Sequence, residues 1–518
     1  GNPEHQNRAH MNPFLLSYEA YSQDPVDGKG RSLAVVISGH KVEDEDVPAL
    51  LKLIQSAPHA RLRLMAFIAL RQAGKIAPEL QQLWNLEAAQ IKSLIEAEHR
   101  QARFPIVNPH DEALMAELFI FTFEAETPRA ICLYPAAADA AQELANICNC
   151  SFLIGFSENF EGNSWLCAAA AALKCKDPAK LRPLAFTGEL DASGNLHRAG
   201  YLDAKRQAAE KHGLRLISSI KSLQELDFLL NEPTLPLPVI QTAVKSGLAT
   251  EWLDWMEAAI RAENPHFNLD AVMEMGGLQA EDLLIFHEGY IPFEPEFWQE
   301  YLQANVKHKF DYLQSRFPSP CLIWYAGMIS SMQFAIGVSF GFKRPICICH
   351  WDSTQQKYLP MIKIYGDTPA RTLKNVNISP RDLRYIDYET IDLRKEKSTV
   401  ALIIYLASHN PISEARHHAK TVRNTEATVI ISLKSGQGQL QNDDDWLLIV
   451  REIYSLINHL KNDHNWQKML IYPSAPAAVC MALGIALGHF WDIEIMHYNG
   501  GSDPKYKAMY NLMDFTPA

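Results

Sequence analysis

A serine and a lysine stand in the surroundings that a nucleophile and its base require. Glu161-Gly162-Asn163-Ser164 forms a glycine-containing turn and leads into 166–173 (LCAAAAAL), where alanine fills most positions. Alanine is the best helix former, which puts Ser164 at or near a helix N-terminus. Free backbone N–H groups and the positive end of the helix dipole lie there, and both stabilise an alkoxide or an oxyanion. Further on, 186–205 reads as strand, tight turn, strand, turn and helix start; Ser193-Gly194-Asn195 supplies turn residues and Gly200 a close turn before a helix of about 202–211. Lys205 falls in the first turns of that helix, among Leu202, Ala208 and Ala209. Burial and the nearby positive dipole end both favour the neutral amine, the form that takes up a proton. A serine with a neutral lysine is a nucleophile–base pair for acyl transfer. Singly, each residue has a plainer role: Gly-x-Ser before a helix is an N-cap, and a helical lysine is a solvated surface side chain.

Taken together, the stretch resembles the proteolytic domain of the Lon proteases. That family carries a Gly-x-Ser turn, then Thr-Gly-Glu-hydrophobic, a turn glycine, and Gly-x-hydrophobic-x-x-Lys. Here the series is Gly162-x-Ser164, Thr187-Gly188-Glu189-Leu190, Gly194 and Gly200-x-Leu202-x-x-Lys205. The resemblance implies a Lon-like α+β protease domain over 11–230, with Ser164 the catalytic nucleophile and Lys205 its base. The chain departs from the family in two places. Glu161-Gly162-Asn163-Ser164-Trp165-Leu166 replaces Asp-Gly-Pro-Ser-Ala-Gly, so a bulky Trp165 stands beside the nucleophile, and Asp203-Ala204-Lys205 replaces a Lys-Glu-Lys cluster. Both bear on substrate range. Trp165 also motivates an alternative, a ligand-sensing scaffold with an inactive protease domain.

The chain has 518 residues, enough for two to four domains, with 47% hydrophobic and 21% charged residues, a soluble globular composition. A net charge of −12 argues against a surface for DNA or RNA polymers but not against a pocket for a small anionic ligand. Nine cysteines without C-x-x-C or paired His/Cys spacing read as reduced thiols of a cytoplasmic protein, with no metal site. Residues 1–10 (GNPEHQNRAH) read as a vector remnant before Met11, and no signal peptide is evident. Gly28-Lys29 lacks the upstream glycine of a Walker A motif, so an ATPase cannot gate the protease. The runs 321–342 and 469–491 are long enough to span a bilayer, yet Gly327 and Ser330 break one, and Pro473 and Pro476 the other. Both read as buried strand–turn–helix segments. No G-x-G-x-x-G follows a strand, which weighs against a nicotinamide-dependent enzyme.

The elements that must position these residues follow from periodicity. Residues 32–38 (SLAVVIS) read as a strand. A helical block follows, taken as an insertion of about 43–103. Strands at 115–123, 129–135 and 152–156 and a helix at 139–147 precede the nucleophile turn; a strand at 214–218 and a helix at 221–230 close the domain. Residues 231–238 (NEPTLPLP) suggest a stiff linker within 231–240. Residues 241–518 hold a duplication in which 323–352 aligns without gaps onto 470–499. It matches Tyr325 with Tyr472, Gly337 with Gly484, Gly341 with Gly488, and His350 with His497, with Trp351 and Tyr498 next. Each copy reads as strand, small-residue turn, Gly-x-x-x-Gly helix and strand, and the glycines suggest close helix-on-sheet packing. The result is two Rossmann-like halves, about 241–394 and 395–518. Ligands of open parallel sheets bind beyond the carboxyl ends of the strands. Tyr325, Ser330, His350, Trp351, Ser408, His409, Asn410, Lys434 and Ser474 lie at such ends and, with Tyr506, are the candidate ligand-binding residues; singly, they are also ordinary strand-end residues.

The duplicated unit, closed by Lys505-Tyr506, resembles the SAVED domain, a fusion of two CARF-like Rossmann units that senses cyclic oligonucleotides in prokaryotic antiphage defence. The resemblance covers roughly 240–518. A Lon-like protease followed by SAVED is the order of the CRISPR-associated Lon proteases. It implies an activating cyclic oligonucleotide, specifically a cyclic oligoadenylate, with no cofactor. It further implies a ligand-induced homo-oligomer or domain movement that exposes the dyad, and cleavage of a dedicated protein substrate.

Overall fold

The computed structural model describes residues 12–75, 77–108, 110, 112–244, 249–366, 369–374, 377–393 and 398–517. It divides into one unit of residues 1–232 with 270–275 and a second of 233–269 with 276–518.

The first unit opens with helices α1 (Pro13–Gln23), α2 (Asp27–Gly39), α3 (Val47–Ser56), α4 (Ala60–Gln72), α5 (Pro78–Trp84) and α6 (Ala88–Glu96). The stretch 32–38 is therefore helix, not strand, and the helical block precedes the strands rather than interrupting them. Burial explains the difference: Leu33, Ala34 and Ile37 are buried while Val35 is 71% exposed, the three- and four-residue spacing of a helix face. Next come β1 (Arg100–Val107), β2 (Ala113–Phe123), β3 (Ala130–Cys132), α7 (Ala138–Cys148) and β4 (Ser151–Phe156), a sheet of order β1-β2-β4-β3. The helical core continues onto this sheet through Phe121 and Leu153. A Cβ on Gly155 of β4 would lie 2.7 Å from Leu64 Cδ1, so the glycine leaves room for the Leu64 side chain of α4 against the strand. The chain then forms α8 (Leu166–Lys174), β5 (Leu184–Phe186), β6 (Glu189–Leu190), β7 (Leu196–His197), α9 (Leu202–Lys211), β8 (Arg215–Ile217) and α10 (Leu223–Asn231).

The second unit begins with β9 (Leu235–Val244) and α11 (Ala249–Glu263); α12 (Leu269–Gly276) falls in the first unit over 270–275, and the second continues with β10 (Leu284–Glu288), α13 (Pro295–Asn305), α14 (Lys309–Ser315), β11 (Cys321–Ala326), α15 (Ser330–Phe340), β12 (Ile346–Asp352) and β13 (Lys357–Ile364). Their sheet has the order β10-β9-β11-β12-β13. The proline-rich stretch expected as a linker is in large part β9, with Leu237 and Val239 buried. Its prolines are tolerated because the strand is paired on one side where they fall: β11 pairs with 235–240 and β10 with 240–244, so Pro236 and Pro238 need no N–H toward β10.

The second half follows with α16 (Pro369–Lys374), β14 (Ile386–Ile391), β15 (Ser398–Tyr405), α17 (Ile412–Thr421), β16 (Thr428–Leu433), α18 (Trp446–His464), β17 (Trp466–Ser474), α19 (Ala477–Leu487), β18 (Ile493–Tyr498) and β19 (Tyr506–Asn511). The sheet order is β14-β16-β15-β17-β18-β19. In both copies a parallel strand–helix–strand unit ends in an antiparallel strand. The β-bulge of β12 at Ile348/Cys349 recurs in β18 at Ile495/Met496, the equivalent step of the duplication.

The duplicated glycines pack helix on helix, not helix on sheet. A Cβ on Gly337 would lie 2.2 Å from Met481 O, and one on Gly484 2.2 Å from Phe334 O, so α15 and α19 touch through their backbones. Gly341 (φ +83°) and Gly488 (φ +66°) instead end the two helices in conformations that residues with a Cβ rarely adopt. Because the clashing atoms are backbone, side-chain repacking cannot absorb a methyl group. Gly337→Ala and Gly484→Ala are each expected to destabilise the second unit by about 3 kcal/mol, the upper end of the usual overpacking cost. Urea unfolding followed by tryptophan fluorescence measures this, and a midpoint unchanged from wild type would refute the packing argument.

Candidate functional site

The loop that carries Ser164 leaves β4 and is anchored residue by residue. Ser157 pairs with Glu117 of β2 through its own N–H (2.9 Å) and through its Oγ, which accepts from Glu117 N–H (2.8 Å). Tyr134 donates its hydroxyl to Phe160 O (2.9 Å), and the Phe160 ring packs among Phe104, Tyr134, Phe156 and Trp165. Trp165 is 1% exposed and turned into this aromatic group, 5.1 Å from Phe156. The bulk expected to narrow the substrate range is thus spent in the core. α8 starts at Leu166 with Trp165 as its capping residue and no side-chain cap, so Ser164 lies one position ahead and does not cap the helix.

Ser164 is partly exposed, and its carbonyl accepts from Gly188 N–H (3.0 Å). The preceding residue, Thr187, is buried, and its Oγ1 accepts from Lys205 Nζ (3.3 Å). Of two adjacent residues after β5, Thr187 therefore bonds the lysine amine and Gly188 the backbone carbonyl of Ser164. Lys205 is 5% exposed, with Ala208 and Ala209 buried on its helix. This burial lowers its pKa from the ordinary lysine value, partly offset by the Glu189 carboxylate. The group can exchange a proton near neutrality more readily than a surface lysine.

In the second unit the candidate residues separate into two groups. At the strand ends of the second half, the His409 ring stacks on Tyr498 (centroids 4.2 Å apart), and Ser474 Oγ donates to His409 O (2.5 Å). Glu414 of α17 accepts from Lys505 Nζ (3.0 Å), a bond that holds its carboxyl below the usual range, and lies 3.8 Å from His409 Nε2. His409 Nε2, Glu414 Oε2 and Tyr506 Oη are buried without a hydrogen bond. Beside them a cavity of about 460 Å³ is lined by residues that include Glu414, His417, His418, Asp503, Lys505 and Tyr506. His418 bonds the Tyr472 hydroxyl (2.8 Å), and burial lowers its pKa. Ser408 is exposed at this rim; Asn410 uses its Oδ1 on Ile412 N–H, and Lys434 donates to Leu383 O beside β14. The sequence pattern missed Glu414 and His418, whose signal was the apolar periodicity of α17 that turns one face of the helix to the sheet.

The first half is arranged differently. Tyr325 is buried and donates to Gln333, which in turn donates to Met328 O (2.6 Å) and Gln241 Oε1 (3.1 Å), while Met328 N–H donates to the same Gln241 oxygen (2.7 Å). Tyr325 therefore supports the 326–329 loop from beneath instead of facing a ligand. Ser330 begins α15 and is half-buried. Trp351 packs with Trp252 and Trp255 of α11 and with Tyr358, away from the group that holds its counterpart Tyr498. The duplicated histidines are covered crosswise: His350 by Trp446 of the second half and His497 by Trp298 of the first, each with ring centroids 5.0 Å apart. His497 also bonds Ser331 (2.7 Å), and burial lowers its pKa to about 4. Among the described residues no group of three or more His, Cys, Asp or Glu side chains is placed to hold a metal ion, and no helix is long and apolar enough to cross a membrane.

Two pH responses follow. The depressed pKa of Lys205 means that the unfolded chain binds the extra proton between the folded value and 10.5, so stability rises with pH across that window. Lys205→Met should unfold at higher urea than wild type at pH 7, with the advantage shrinking toward pH 10. His497 binds its proton in the unfolded chain first, so stability should fall as pH drops from 6.5 to about 4. A pH series of unfolding midpoints comparing wild type with His497→Asn would show a shallower loss in the variant.

A family model described as SMODS-associated and fused to various effectors sensor domain, SAVED, matches residues 302–512. No curated protein matches the chain. Among solved structures, the chain is similar to the Acinetobacter baumannii Cap4 SAVED/CARF-domain containing receptor with the cyclic trinucleotide 3'3'3'-cAAA, at 13% identity and a TM-score of 0.36, over 62% of this chain and 63% of that one. The same receptor with 2'3'3'-cAAA gives 14%, a TM-score of 0.35 and 62% of each chain. The Moraxella osloensis Cap4 receptor gives 12% and 0.31, over 62% of this chain and 61% of that one. The chain thus spans less than two thirds of the length of these receptors. The duplicated strand–helix–strand units, their shared bulge and the family match converge on one conclusion: the second unit of this chain carries a SAVED domain, at residues 302–512.

Proposed function

We propose that this chain is a cytoplasmic antiphage-defence effector, a serine protease switched on by a cyclic oligonucleotide. The observation that carries the catalytic half is the buried Lys205, bonded to Thr187 beside the residue that holds the Ser164 loop. The sensing half is supported by the SAVED match and by neighbours solved with cyclic trinucleotides of adenosine. A cyclic oligoadenylate would bind the SAVED strand ends, and the occupied module would drive self-association or domain movement that opens the protease to one protein substrate.

In the proposed reaction Ser164 Oγ attacks a peptide carbonyl carbon while its proton passes to the neutral Lys205 Nζ. Backbone N–H groups of the 162–164 turn receive the oxyanion. The tetrahedral intermediate collapses by breaking the C–N bond, and Lys205 returns the proton to the leaving amine. Water then attacks the acyl-enzyme, with Lys205 again as base, and Ser164 is released. Thr187 keeps the amine oriented through both half-reactions.

Thermal stability against cyclic di-, tri- and tetraadenylate tests the sensor: a true ligand should stabilise the fold by ~2.7 kcal/mol at a hundredfold excess over Kd. With that ligand present, Ser164→Ala and Lys205→Ala should each lower cleavage of a co-purified substrate by about 10³-fold or more. Retained cleavage by Ser164→Ala would overturn the protease reading.

A further inference from the structure

The helical block carries no catalytic motif, yet it grips the loop that delivers Ser164. Helix α4 has His59 as its N-terminal capping residue, without a side-chain cap. The cap comes instead from the nucleophile loop: Asn159 Oδ1 accepts Ala60 N–H (2.7 Å), and Asn159 Nδ2 donates to Pro58 O (3.0 Å). An orphan N–H of the first helical turn is thus satisfied by a side chain distant in sequence but close ahead of Ser164. The next helical residue reaches the same loop. Arg61 Nε donates to Ser157 O (3.0 Å), and its Nη2 pairs with Glu158 (2.8 Å). Three successive loop residues, 157, 158 and 159, are therefore bonded to one helix end.

That helix end is itself immobilised. Leu62, Leu64, Phe67 and Leu70 bury the inner face of α4, and Leu64 sits against Gly155, the glycine of the strand that leads into the loop. Beyond Phe160, residues 161–163 are exposed, and the next backbone anchor is the Ser164 carbonyl on Gly188. The turn that aims Ser164 Oγ therefore takes its position from the anchors on either side of it. On the upstream side these are α4, Glu117 and Tyr134.

We infer that Asn159 and Arg61 are positioning residues for Ser164. By capping α4 from within the nucleophile loop, Asn159 makes the helical block the reference frame against which the serine is placed. This rests on the Ser164–Lys205 reading. The geometry matters because a displacement of about 1 Å at a reacting group can cost about 10²-fold in rate. Asn159 is exposed, so its truncation opens no cavity and leaves the core intact.

The test uses the full chain and two readouts. One is amide hydrogen exchange across 157–164. The other is the second-order rate at which a β-lactone acylates Ser164, followed by intact-protein mass, with Ser164→Ala as blank. Asn159→Ala should exchange faster across the loop and acylate about tenfold more slowly, with an unfolding midpoint lowered by no more than the loss of one helix cap. Asn159→Asp keeps the acceptor for Ala60 N–H and should recover most of the rate, a rescue that a general loss of packing would not give. Arg61→Ala should slow acylation less, since one backbone bond and a surface ion pair are lost. Exchange and acylation within twofold of wild type in the Asn159→Ala/Arg61→Ala double variant would overturn the inference. A wild-type chain that takes up no Ser164-dependent label would count against the protease reading; the exchange data would still decide whether α4 clamps the loop.

Discussion

The first unit is built around keeping one lysine amine out of water. An ammonium moved into an apolar interior loses solvation that a single neutral partner cannot replace, so the group gives up its proton more easily. Around Lys205 the chain supplies just such a partner, the Thr187 hydroxyl, with small buried alanines on the same helix. The Glu189 carboxylate opposes this shift in part. The strand end at 187–188 then does two things at once, since Thr187 holds the lysine and Gly188 holds the carbonyl of Ser164. Two segments distant in the chain are thereby tied to adjacent residues.

The second unit depends on a contact between two glycines. With Gly337 and Gly484 at the crossing of α15 and α19, the helices approach until backbone meets backbone. Side chains would hold them apart and the two halves would present separate surfaces. At this distance the halves interleave: α13 reaches β19, where Gln299 donates to Met509 O (3.4 Å), and Asn442 of the second half donates to Asp352 Oδ2 of β12 (3.2 Å). The crosswise covering of His350 and His497 by Trp446 and Trp298 follows from the same exchange.

Much of this was legible in local chemistry. The turn before Ser164, the helix over 202–211 and the duplicated glycines are written in residues whose conformational demands are nearly independent of context. What context decides was not legible. Leu33, Ala34 and Ile37 fit a short strand as well as a helix face until the partners of that face are known. Pro236 and Pro238 suggested a linker because their lack of N–H is invisible in a strand whose other edge is unpaired there. Trp351 and Tyr498 occupy equivalent positions, yet one joins the tryptophans of α11 and the other stacks on His409. Trp165 reads as an obstruction in sequence because the direction of a side chain is a property of the fold. The capping of α4 by Asn159 had no local signature at all, since the missing cap and its substitute lie far apart in the chain.

The duplication also ends in an asymmetry with an energetic meaning. In the first half the strand-end polar groups satisfy one another, with Tyr325, Gln333, Gln241 and the Met328 backbone forming a closed network. In the second half His409 stacks on Tyr498 and its Nε2 lies 3.8 Å from Glu414 Oε2, which borders an open cavity with Lys505 and Tyr506. The two copies therefore engage their strand-end side chains differently: the first in a closed hydrogen-bond network, the second in a stacked and ion-paired group beside a cavity. On the sensing role proposed for this domain, a ligand can change the state of the chain only by the difference in its affinity for the two states, and the two copies, no longer alike at their strand ends, offer it different contacts.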